Sequence, residues 1–391
     1  MAKLAVVIPT RNRPDFAVAA VRSLLDQDVE LDIYLSDNSA DPEPLRAYCA
    51  RERRATWLRP ERELAMPDHW EWALQEVLNR SAASHVSVHY DRKISKPGEW
   101  RRLAAAAERH PATLLTYSVD QVCHWPPPIR VWQAPWTGRL FAIETAVTAS
   151  AIAEGRFADV AQALPILSNC VVPRETLEAI AAHFGDICKS TGPDSAFMSR
   201  FLALAGRYIH LDRATGIIYG GHRSNGLGYL RGSGGDFPDF LETFGNRSWL
   251  EAAPLPGINL GQNMLYHEYE LARRASGDRL PPLDRAAAIA EMAGSLVFVD
   301  APELRTQLVA LLRHEGWTGE EPAPFPPRTT VMDRLQRTME RRALWRRDPP
   351  PHICGFAYRS EDAALNAALR YPRRSEEAAA HLAGLLAEEV A

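Results

Sequence analysis

The stretch LAVVIPTRNRPDFAVAAVRSLLDQ (4–27) decides the fold. Its first five residues form a continuous apolar run, the pattern of a strand buried on both faces, and residues 14–27 then repeat apolar side chains at helical spacing. The same alternation continues outward. LDIYLS (31–36), a helix over about 42–53, ATWL (55–58), a helix from about 69 to 80 and HVSVHY (85–90) complete a β-α-β-α-β-α-β order. That order predicts a parallel sheet wrapped by helices, with ligands outside the carboxyl ends of its strands. The chemistry is therefore expected just after residues 8, 36, 58 and 90.

Farther along, a helix at about 97–109 leads to ATLLTYSVD (112–120) and then to CHWPPPIRVWQAPW (123–136), whose prolines and tryptophans read as an irregular edge ribbon and loop. ILSNCVV (166–172), helices at 174–184 and 194–205, and YIHLDRATGIIYG (208–220) close this part. The glycine-rich GLGYLRGSGGDFPDF (226–240) separates it from a region of helical patterns near 237–246, 262–275, 284–298, 302–314, 329–346 and 361–389. Two units are thus expected, residues 1–225 and residues 226–391.

Composition narrows the class. The chain has 391 residues, 46% hydrophobic and 24% charged, which is ordinary globular composition. Its 45 Lys and Arg against 49 Asp and Glu leave a net charge of −4, so no global field draws it to nucleic acid. Cys49, Cys123, Cys170, Cys188 and Cys354 are odd in number, widely spaced and without a CxxC pair or zinc spacing. With no apolar run of spanning length, the expectation is a reduced, cytoplasmic protein without a transmembrane segment, open to peripheral contact with a membrane.

Four segments carry candidate chemistry. PTRNRP (9–14) puts Pro9, Thr10, Arg11 and Arg13 between a strand end and a helix N-terminus, offering a hydroxyl and two guanidinium forks to a phosphate or a base edge. LSDNSAD (35–41) ends the second strand with Asp37 and Asn38, which can accept from a uracil imide or a ribose hydroxyl and can equally form an Asx turn. In AMPDHWEWAL (65–74), Asp68 and Glu71 have the spacing of a capping box. In KSTGPDSAFMSRFL (189–202), Asp194 stands where a helix opens, suited to an N-cap or to a general base.

Taken together, strand, PTRNRP, helix, strand and SDNSAD resemble the opening of family 2 glycosyltransferases. The resemblance covers roughly residues 3–225. It implies a GT-A type, Rossmann-like mixed sheet flanked by helices, followed here by a mostly α-helical C-terminal region. It implies transfer of a sugar with inversion from a nucleotide-diphosphate sugar, of UDP type, to a glycan, lipid-linked or small-molecule hydroxyl acceptor. Thr10, Arg11, Asp37 and Asp91 would meet the nucleoside, and Asp68 lies in the family's segment between the third strand and its helix. Asp194 matches the general base. His222 and Arg223, in IIYGGHRSNGLGY (217–229), match a position that reaches the diphosphate.

One departure stands out. The family carries consecutive aspartates after the fourth strand, followed four residues later by proline, and their last member holds Mg²⁺ or Mn²⁺. Counting back from Pro97 in VSVHYDRKISKP (86–97) leaves Asp91 on the first of these positions and Arg92 and Lys93 on the other two. A protonated lysine offers no oxygen to a hard cation. Either Arg92 or Lys93 supplies the positive charge itself, without a metal, or the chain is a non-catalytic GT-A-like module with a vestigial nucleotide pocket. The helical region would then serve acceptor, partner or homo-oligomer contacts. Within it, His267-Glu268 lacks a second His at i+4 and reads as an ordinary helical pair, and RRALWRRDPPP (341–351) reads as a solvated helix end.

Overall fold

The computed structural model describes residues 2–123, 129–133, 136–220, 250–258, 260–299, 301–323, 358, 360–370 and 388–390. The first third follows the expected alternation: β1 (Leu4–Thr10), α1 (Pro14–Leu25), β2 (Leu31–Asp37), α2 (Glu43–Arg51), β3 (Ala55–Leu58), α3 (Met66–Arg80), β4 (His85–Val88). β1 pairs in parallel with both β2 and β4, and β2 with β3. The apolar run of β1 is buried throughout because helices cover both faces of the sheet; Val6, Val7 and Ile8 are fully buried. Each such side chain contributes roughly 1.5–3 kcal/mol of transfer free energy.

Beyond β4 the sheet becomes mixed. After β5 (Lys93–Ser95) and α4 (Glu99–Arg109) come β6 (Leu115–Cys123), β7 (Arg130–Trp132), β8 (Leu140–Glu144) and α5 (Thr145–Ala153). The short α6 (Phe157–Val160), β9 (Cys170–Pro173), α7 (Arg174–Phe184), α8 (Pro193–Leu204) and β10 (Arg207–Ile218) follow. β9 slots antiparallel between β4 and β6, and β10 runs parallel to β6 but antiparallel to β8 and β5. Among the described residues the strands form an 11-stranded mixed sheet whose main path is β11 (Glu388–Val390)-β8-β10-β6-β9-β4-β1-β2-β3, with β5 pairing off it on β10 and β7 on β6, flanked by helices and followed by a helical region, as the GT-A type implies.

Two sequence expectations are corrected. The helix expected to run through 361–389 covers Glu361–Arg370, and Glu388–Val390 instead form β11, an antiparallel edge strand on β8. The Asp68–Glu71 capping box is absent: Pro67, acceptable in the first helical turn, lets α3 begin at Met66, with Ala65 as N-cap. The proposed helices at 237–246 and 329–346, the glycine-rich run and the 341–351 cluster lie outside the described residues.

The helical region packs directly on the sheet's helices. The helix Asn263–Ala275 lies along α8, and one continuous apolar cluster joins Trp70, Leu74, Phe197 and Phe201 to Tyr266, Tyr269, Ile289 and Leu312. Where the helix Arg285–Gly294 meets the loop after α5, Gly155 (φ +68°) approaches so closely that a Cβ there would lie 2.7 Å from the Ala287 backbone.

Candidate active site

The carboxyl ends of β1, β2 and β4 bring the first two motifs together. Thr10 Oγ1 donates to Asp91 Oδ2 at 2.9 Å, and Arg13 Nε lies 3.1 Å from the same oxygen. Asp91 is 3% exposed, a carboxylate held in place by a hydroxyl and a guanidinium. On the neighbouring strand end Asp37 is fully buried. Its Oδ1 accepts from the Ser39 amide at 2.9 Å, its Oδ2 from Trp57 Nε1 at 3.3 Å, and Arg59 Nη1 stands 3.8 Å away. Arg59 follows β3, one of the four places at which chemistry was expected, although no residue had been singled out there.

The turn itself is built by asparagines. Asn12 takes a left-handed conformation (φ 56°), its amide donates to Ser39 Oγ at 2.8 Å, and its Oδ1 accepts from Ala40 N at 3.0 Å, which ties the first loop to the second. Asn38 turns away from the strand ends: its side chain pairs with both backbone groups of Leu64, at 2.7 and 2.9 Å. Pro9 is buried in register with Ser36, and Arg11 pairs with Glu63 at 3.1 Å. Arg92 donates to the Tyr219 carbonyl at 3.0 Å, and burial lowers its pKa. Asp68 points toward the loop before α8, where Lys189 pairs with it at 2.9 Å.

Asp194 is not an N-cap. Gly192 occupies that position and Pro193 opens α8, which leaves the Asp194 carboxylate free to reach across the fold. Its Oδ1 accepts from the Ser168 amide at 3.0 Å and its Oδ2 from the Tyr90 hydroxyl, while the residue keeps part of its surface accessible. Burial raises its pKa, opposed by the bonds from Tyr90 and Ser168 and by the charge of Lys93. Tyr90 precedes Asp91 directly, so one residue step separates the Asp91 anchor from the Asp194 contact. Sequence reading passed over Tyr90 because it ends an apolar strand pattern and reads as core; Trp70 indeed packs against its ring, with centroids 5.9 Å apart.

Lys93 is drawn into the same interior. Instead of standing on an open loop it lies in β5, 1% exposed, and its Nζ donates to the Ser168 carbonyl at 2.6 Å and to Tyr117 Oη at 3.1 Å. Burial lowers its pKa to about 7, against the opposing pull of Asp194. Ser168, whose carbonyl accepts from Lys93, also donates its amide to Asp194, so Lys93 and the candidate base meet on one residue. His222 and Arg223 lie outside the described residues.

The residues at 91–93 do not fit a divalent cation. A single carboxylate with one oxygen already engaged is followed by a guanidinium and an ammonium, neither of which ligates a hard ion. Among the described residues no three His, Cys, Asp or Glu side chains gather as a ligand set. A cleft of about 550 Å³ does open on the molecule, but at the opposite end of the sheet, between Gln27, Asp32 and Arg54.

No family model matches the chain, and no curated protein does. Solved structures of Staphylococcus aureus TarS are similar in fold. One is 16% identical over 80% of this chain and 53% of that one, with a TM-score of 0.43. TarS 1-349 in complex with UDP-GlcNAc is 15% identical over 85% and 78%, also at 0.43, and the same fragment with UDP is 16% identical over 80% and 86%, at 0.42. This chain thus spans about half the length of the longer TarS structure. A likeness of that size assigns no activity. No helix among the described residues is long and apolar enough to cross a membrane.

Proposed function

We propose that this chain is an inverting glycosyltransferase of the family 2 type, taking a sugar from a nucleotide-diphosphate donor, most simply a UDP-sugar, to a hydroxyl acceptor. The observation that carries the reading is the link through Tyr90. The donor-side carboxylates Asp37 and Asp91 and the base-side carboxylate Asp194 belong to distant parts of the sequence, yet Asp194 is bonded to the neighbour of Asp91.

The reaction follows from that placement. An acceptor hydroxyl beside Asp194 gives its proton to the carboxylate as its oxygen bonds to the anomeric carbon. The bond from that carbon to the diphosphate oxygen breaks on the opposite face, and the nucleoside diphosphate leaves with the bonding pair. Thr10, Asp37 and Asp91 address the nucleoside. Arg13 and Arg92, with His222 and Arg223, supply positive charge toward the diphosphate, and the mechanism runs through no metal. Residues 1–225 form the catalytic unit, and residues 226–391 supply acceptor or partner contacts.

The test is nucleoside diphosphate release from a panel of nucleotide sugars, in excess EDTA and with Mn²⁺ added. Release with one donor in EDTA, and product of inverted anomeric configuration by NMR, support the reading. A strict Mn²⁺ requirement removes the metal-free mechanism. Donor binding without release under either condition favours the alternative, a GT-A-like binding module, which the pairing of Asn38 with Leu64 and of Asp91 Oδ2 with Thr10 and Arg13 also fits.

A further inference from the structure

The loop entering α8 is held from outside by carboxylates. Glu71 of α3 accepts from the amides of Ile187 at 3.0 Å and Cys188 at 2.9 Å, and Asp68 holds Lys189. The last anchor comes from the helical region. Glu268, on the helix Asn263–Ala275 and 2% exposed, accepts at 2.8 Å from the amide of Gly192, the N-cap of α8. A Cβ on Gly192 would lie 2.8 Å from Met264 Sδ, a contact that the flexible methionine side chain would have to yield.

A carboxylate inside a helix interface is expensive to bury, and Leu265, Tyr266, Tyr269 and Ala272 already supply that interface with apolar area. The position of Glu268 is better explained by what it holds. From Gly192 the chain passes through Pro193, whose ring fixes its own backbone, straight into Asp194. A displacement of Gly192 is therefore delivered to a carboxylate whose two oxygens are each bonded elsewhere, to Ser168 and Tyr90.

We propose that Glu268 is a positioning residue for Asp194, so that the helix Asn263–Ala275 completes the catalytic centre. The inference rests on the transferase reading above and adds to it a residue outside the family resemblance.

The experiment compares the full-length chain with E268A, E268Q and E268D, measuring steady-state transfer and backbone hydrogen exchange over residues 190–197. E268A is expected to lose about 10- to 100-fold in kcat with donor KM within about twofold, as a misplacement near 1 Å does. E268Q, whose amide oxygen still accepts from Gly192, is expected to keep most of kcat, and exchange should accelerate in E268A and E268D but not in E268Q. Wild-type kcat in a folded E268A overturns the proposal, as does an equal loss in E268A and E268Q. Should E268A fail to fold, E268D decides: it keeps the charge but loses the reach, and an undiminished kcat rejects the role. If the wild-type chain turns over no nucleotide sugar, the transferase reading fails by itself. Unchanged exchange at 190–197 in E268A would then separately reject the anchoring of Gly192.

Discussion

Asp194 is pulled in two directions: burial raises its carboxyl above the usual carboxylate range, while Tyr90, the Ser168 amide and Lys93 hold it down. In its proposed role as base Asp194 has to be ionised to act, so activity should fall as pH drops through its pKa. Tyr90→Phe removes one of the bonds that favour the ionised form. Its acidic limb in a plot of kcat/KM against pH is expected to move to higher pH, and a limb that stays in place would separate Tyr90 from the base. Asp194→Asn should leave donor affinity unchanged and cost about two to four orders of magnitude in transfer, as loss of a general base does; calorimetric titration with the donor and turnover assays check the two halves. The residues that sequence reading named are mostly gathered at the strand ends, since strand, turn and helix signals place βα loops well. Lys93 shows what such reading misses. Position in a motif fixed its Cα, but only the pairing of β5 with β10 turned its ammonium inward.

Among the elements, the junctions between the α/β part and the helical region are the most exposed to test. Glu268 has a folded pKa raised by burial from 4.5 to about 7. Between those values the unfolded chain ionises first, so this group's contribution to stability declines as pH rises from about 4.5 and levels off above about 7. Glu268→Gln carries no such dependence. Its stability relative to wild type, from urea unfolding at pH 5 and pH 8, should improve at the higher pH by as much as about 3 kcal/mol. Gly155→Ala combines a left-handed backbone with a Cβ 2.7 Å from the Ala287 backbone, which cannot swing aside as a side chain would. A loss of about 3 kcal/mol in the same assay is expected. β1 to β4 and the helices α1 to α4, α7 and α8 were legible because a buried run or a helical period marks them, whereas α5, apolar with little periodicity, and the four-residue α6 were not read from the sequence. β5, β7 and β11 have three residues each, too few to show a period, and nothing local marks β9 as antiparallel.

On the scale of the whole molecule, the continuous apolar cluster from Trp70 to Leu312 argues that the two parts unfold together. Differential scanning calorimetry should show one transition, and a fragment ending at residue 225, with the apolar faces of α5 and α8 uncovered, should be insoluble or unfolded. Two resolved transitions would show instead that the parts are independent. The strand order has a further consequence, for how the chain is made. β4 lies beside β9, and β6 is flanked by β9 and β10, so the middle of the sheet cannot close when its own strands leave the ribosome. At ordinary rates of synthesis the edge of β4 waits roughly 4–17 s for residue 173 to appear. Through that interval it is an unpaired template for another chain, which makes nascent-chain chaperones and slower growth temperatures the first variables to adjust when producing this protein.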